Sequence, residues 1–142
     1  MMLTALALCA LLIGFSLRQA TQEEAQLLRY RALMESLAGT VLAMRSQAVA
    51  EQRTIELRVD VSQGAFQLAS IEQGAHPYEA LEQTIWMPDG LQITDAPSVV
   101  SALPNGQFSE AVIVVTAPVY RRRFRLTTTQ AEGVRLSEET ML

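Results

Sequence analysis

The sequence predicts an α+β fold, one long N-terminal helix packed on an antiparallel β-sheet head. Three observations lead there. Residues 1–17 hold 14 hydrophobic residues and no charge, with only Thr4, Gly14 and Ser16 as exceptions. An apolar stripe with helical spacing follows. Beyond Arg53 the period of the apolar residues drops to two and turn sequences recur. With 142 residues, the chain suits one domain with a core of ~100 ordered residues.

A bilayer core ~30 Å thick needs ~20 apolar residues to span it as a helix. Leu3, Leu6, Leu8, Leu11, Leu12, Ile13, Phe15 and Leu17 are the candidate lipid-facing and assembly residues, and Arg18 can stretch to the headgroups. Three readings compete. A cleaved signal peptide lacks its basic start, and a cut after Ala20 places Arg18 where a small residue is wanted. A lipoprotein signal at Cys9 has the large Leu8 before it, so Cys9 reads as an ordinary buried residue. An uncleaved anchor that runs into the next helix fits best.

That helix is written in the spacing of Leu27, Tyr30, Met34, Leu37, Val41, Met44 and Ala48. Steps of 3, 4, 3, 4, 3 and 4 keep one face apolar. Arg29, Arg31, Glu35, Arg45 and Gln47 fall off the stripe. No proline occurs before Pro77, and only Gly14 and Gly39 interrupt the run up to Arg53. One rod over residues 3–53 would be ~75 Å long. A short anchor, a break near residues 19–24 and a separate amphipathic helix is the alternative. The expected organisation is an anchor at 1–17, an amphipathic continuation at 18–53 and a β-rich head at 54–142.

In the head, Ile55, Leu57, Val59 and Val61 alternate with Thr54, Glu56, Arg58 and Asp60, which makes a half-buried strand. Ser62-Gln63-Gly64 turns the chain, and Phe66 and Leu68 begin the return. Residues 70–83 read as irregular, with His76-Pro77 on the surface. Strands at 84–87 and 91–94 flank Pro88-Asp89-Gly90. Pro104-Asn105-Gly106 precedes the most apolar strand, 111–116. Strands at 120–128 and 134–136 follow, then a frayed tail at 138–142. Six or seven short strands are expected.

Chemistry is sparse. The formal net charge of −4 argues against a general nucleic-acid binder. One cysteine and one histidine leave no disulfide framework, no metal site and no nucleophilic triad. Glu79, Glu82, Asp89 and Asp95 sit in polar stretches where solvated acids are expected, and no glycine-rich phosphate loop follows a strand. No enzyme activity and no cofactor are expected. The one charged motif is Arg121-Arg122-Arg123-Phe124-Arg125. As a strand it would put Arg121, Arg123 and Arg125 on one face at ~6.6 Å spacing, able to follow phosphates or meet a partner. A charged strand protected from aggregation is the simpler reading.

Several local patterns resemble the type IV pilin-like proteins, and more closely the group of minor pseudopilin H and FimT. They are Leu42-Ala43-Met44-Arg45-Ser46-Gln47-Ala48-Val49 leading into Thr54-Ile55-Glu56-Leu57-Arg58-Val59, then Trp86-Met87-Pro88-Asp89-Gly90-Leu91, Leu103-Pro104-Asn105-Gly106, and Arg123-Phe124-Arg125-Leu126 before Gly133-Val134-Arg135-Leu136. The order and spacing carry the resemblance. Gln47 stands where the group usually has glutamate, and the group's processing signal and early glutamate are absent. The resemblance implies that Met1 is an internal start, with about five mature residues and a leader upstream.

It also implies a minor pseudopilin of type II secretion, anchored in the bacterial inner membrane with its head in the periplasm. Its partners would be other pilins or pseudopilins in a filament, the membrane and secreted cargo. The alternative it implies is a FimT-like minor pilin that binds DNA for uptake through the arginine strand.

Overall fold

The computed structural model describes residues 2–71 and 79–141, with side chains described for 22–71 and 83–141. Two compact units arise, Met1–Leu33 and Met34–Leu142. Helix α1 runs from Met2 to Glu51, as expected for a chain free of proline over that span. The anchor candidates Leu3, Leu6, Leu8, Leu11, Leu12, Ile13, Phe15 and Leu17, and Cys9, have side chains outside the described set. Among the described residues no helix is long and apolar enough to cross a membrane.

The helix ends in a left-handed cap. Gln52 adopts φ 53°, and the Arg53 N–H donates to the Ala48 carbonyl at 3.1 Å. This is the 6→1 bond of a Schellman ending. Glutamine is a costly residue for that conformation, but its Nε2 donates to the Val49 carbonyl at 2.7 Å and ties the turn down.

Eight strands follow: β1 (Thr54–Asp60), β2 (Ala65–Ile71), β3 (Glu79–Trp86), β4 (Gln92–Asp95), β5 (Val99–Ala102), β6 (Ala111–Ala117), β7 (Arg122–Thr129) and β8 (Gly133–Thr140). They form two antiparallel four-stranded sheets ordered β3-β2-β1-β5 and β4-β6-β7-β8. The α+β class stands. Alternation sets which side chains go inward: Ile55 and Leu57 from β1, Ile113 and Val115 from β6, and Phe124 and Leu126 from β7 are buried. Together with Phe66, Leu68 and Val100 they make the core that residues 34–51 of the helix join. Burial of such side chains contributes roughly 1.5–3 kcal/mol each before entropy is counted.

Four expectations need correction. Of the stretch 70–83 expected to be irregular, residues 70–71 close β2 and 79–83 open β3, which pairs with β2 from Glu79↔Ile71 to Trp86↔Ala65, while 72–78 lie outside the described residues. The polar residues there hid an edge strand. Val99–Ala102, not foreseen as a strand, becomes β5 by pairing with β1, Ile55 against Ala102 and Arg58 against Val99. The tail does not fray after 136, since β8 continues to Thr140 in full register with β7. Tyr120 belongs to a 3-10 turn, Pro118–Tyr120, and Arg121 caps it at φ 55°, so β7 starts at Arg122, two residues later than expected. His76 lies outside the described residues.

The β1–β2 connection is held by Asp60. The Ser62 hydroxyl donates to its carboxylate at 2.6 Å, and the Gln63 N–H does so at 3.1 Å. These bonds, the hydroxyl first, hold the Asp60 carboxyl below its ordinary value of 3.8. A carboxyl depressed in the folded state contributes stability above the unfolded pKa and loses it as pH falls through the folded one. The urea-midpoint gap between the natural chain and Asp60→Asn is therefore expected to be constant at neutral pH. It should close as pH drops below about 4. An unchanged gap down to pH 2 would contradict this.

Candidate functional site

The chemistry of this chain lies in surfaces. The first is the helix stripe. Tyr30, Met34, Leu37, Val41, Met44 and Ala48 are buried, and Leu27 is half-buried. On the opposite side Gly39, Ala43, Ser46 and Ala50 are exposed, as is Leu42. These residues, with Gln47, line a shallow hollow of about 520 Å³.

Arg45 ties the helix to two loops of the head. Its Nε donates to the Gly106 carbonyl at 3.0 Å and one terminal nitrogen to the Gln130 carbonyl at 3.2 Å. The Gln130 side chain completes the join. Its Nε2 donates to the same Gly106 carbonyl at 3.1 Å, and its Oε1 accepts from the Phe108 N–H at 2.7 Å. Gly106 sits at φ +88° in the Pro104-Asn105-Gly106 turn, with its N–H on the Leu103 carbonyl at 3.0 Å.

Sequence reasoning noted Arg45 as off the stripe and missed this role. Its partners are carbonyls 61 and 85 residues away, which no local pattern signals. Gln130→Ala should cost about 1–3 kcal/mol, because it leaves the Phe108 N–H unpaired. Urea unfolding of Gln130→Ala, Arg45→Ala and the double variant should show coupling; strict additivity would separate the two side chains.

The second surface is the arginine strand. Arg123 and Arg125 lie on the outer face of β7, while Phe124 and Leu126 point into the core. Arg121 is exposed but in the left-handed turn before the strand, so the foreseen row of three becomes a row of two. One carboxylate oxygen of Glu139 lies 3.3 Å from Arg123 and 3.6 Å from Arg125. That placement halves the local positive charge of the pair. Arg122 contacts Glu138 at 4.0 Å.

At the helix end, Arg53 pairs with Glu51. That bond, before any other cause, lowers the Glu51 pKa, with Gln47 adding a weaker one. Gln47 Nε2 reaches Glu51 at 3.4 Å. Among the described residues no group of three or more His, Cys, Asp or Glu side chains is arranged to hold a metal, and each buried side-chain polar atom has a hydrogen-bond partner. Asp89 and Asp95 are exposed; the side chains of Glu79 and Glu82 lie outside the described set.

A long helix on an antiparallel head, joined by a buried stripe, is the architecture of pilin-type subunits, and the comparison with solved structures bears this out. The minor pseudopilin EpsH from the type 2 secretion system of Vibrio cholerae superposes with a TM-score of 0.60 at 15% identity, over 72% of this chain and 91% of that one. The type IV minor pilin FimU of Pseudomonas aeruginosa gives a TM-score of 0.57 at 14% identity, over 75% of this chain and 91% of that one. No protein-family model matches the chain, and no curated protein matches it in sequence. The fold is pilin-like.

Proposed function

We propose that this chain is a minor pseudopilin, a non-catalytic structural subunit of a type II secretion pseudopilus that helps folded proteins cross the outer membrane. The carrying observation is a pilin-like fold whose helix begins in an uncharged apolar run and continues without a break into the buried stripe. In this reading residues 1–17 anchor the chain in the bacterial inner membrane, with the head in the periplasm. An apolar rod end leaves lipid at tolerable cost only when similar rods bury it. Filament neighbours supply that burial.

Deleting the gene in its native host tests the reading. Folded secreted proteins should accumulate in the periplasm, and the natural gene should restore export. Intact secretion together with lost pilus functions would overturn it.

The second reading is a type IV minor pilin, favoured by the likeness to FimU. Its DNA-binding form would use Arg121, Arg123 and Arg125. Binding through those three predicts salt-sensitive affinity of the detergent-solubilised chain for duplex DNA, lost on Arg→Ala replacement of all three. With Glu139 sited between two of them, no such affinity is expected.

A further inference from the structure

Strand β8 ends its sheet, and among the described residues only β7 pairs with it. The Met141 N–H donates to the Arg121 carbonyl at 2.7 Å. These two residues continue the register that runs from Thr129↔Gly133 to Arg122↔Thr140. Bonded and non-bonded pairs alternate in an antiparallel ladder. The bonded pairs are therefore Arg123 with Glu139, Arg125 with Ser137, Thr127 with Arg135 and Thr129 with Gly133. The N–H and C=O groups of Val134, Leu136 and Thr140 point away from β7, and among the described residues no strand pairs with that side. By contrast, β4 and β5 are four residues each, and β5 is engaged by the Ala102–Phe108 bridge.

The side chains beside that edge restrict what it can accept. On the outer face lie Arg135, Ser137 and Glu139. Glu139 already faces Arg123 and Arg125. Arg135 is exposed and stands opposite Thr127, not an acid. On the other face Val134 and Leu136 are half-buried, opposite the buried Thr128 and Leu126. An incoming strand with apolar residues on that face would finish covering them. A carboxylate opposite Arg135 would complete the charge pattern, whereas acids nearer Glu138 and Glu139 would be repelled.

We propose that β8 is a strand-addition site, taking an antiparallel extended segment of a partner protein in which apolar residues alternate with polar ones and a carboxylate meets Arg135. Backbone bonds supply affinity and the alternate side chains supply selectivity.

The probe is fluorescein-labelled acetyl-Val-Thr-Val-Asp-Val-Thr-Val-amide, titrated with the full chain in detergent and read by anisotropy. Saturable binding is expected. Methylating the valine backbone nitrogens should weaken it by about tenfold or more, because those amides are the donors to β8. Arg135→Glu should weaken the aspartate peptide and favour its lysine counterpart. Equal binding of the methylated peptide, indifference to Arg135→Glu, or no binding at millimolar peptide would each overturn the proposal. So would dimerisation of the chain through β8 without peptide binding.

Discussion

Val41→Asp is expected to unfold the head, with a loss of about 4 kcal/mol or more in urea or thermal unfolding followed by circular dichroism. Val41 is 0% exposed, between the equally buried Leu37 and Met44 of the same stripe. A carboxylate there is stripped of its water among apolar neighbours, and that cost is set against a total stability of about 5–15 kcal/mol. Two residues along, Ala43 is exposed. Ala43→Asp should cost less than about 1 kcal/mol, mostly helix propensity. The contrast tests the packing directly, since similar losses at both positions would mean that this face of the helix does not close the core. Val41→Asp should also fail to restore the function of the deleted gene, for want of a folded head.

The second large effect is on the arginine strand. Phe124→Ala is expected to cost about 3–5 kcal/mol. The ring is 1% exposed and belongs to the same core as Leu126, Ile113 and Val115. Its neighbour Arg125 has a side chain 48% exposed and meets Glu139 at 3.6 Å. Arg125→Ala should shift stability by no more than about 1 kcal/mol, the usual worth of a surface ion pair. One strand thus carries its stability on one face and its charge on the other. A large loss at Arg125 would assign the outer face a structural role that the exposed geometry does not supply.

Much of this was legible in the residues themselves. A 3.6-residue period needs no partner to be seen, so residues 27–48 announced a helix with one apolar face, and Met34, Leu37, Val41, Met44 and Ala48 are buried. The period of two after Arg53 likewise marked β1, and the glycine-bearing turns marked where strands stop. Glycine at φ +80° in position 133 closes the β7–β8 hairpin after a three-residue loop, a conformation that other residues adopt at a cost.

The missed strand segments share one cause. The first half of β3 and all of β5 have weak patterns of their own and become strand through hydrogen bonds to β2 and β1, distant partners that supply what local preference does not. Residues 138–140 looked like a loose tail because they are polar, yet pairing with β7 holds them. Arg121 left its expected row because Pro118 opens a 3-10 turn that ends on it.

What the residues specify alone is periodicity: which faces are apolar, where the chain cannot stay helical and how much charge it carries. Partnership is a property of the folded chain. The division into two sheets, the Arg45–Gly106–Gln130 join, the pairing of Glu139 with two arginines and the edge position of β8 all depend on residues brought together by folding. Hydrogen bonds and ion pairs act over a few ångströms, so only folding decides which groups they join.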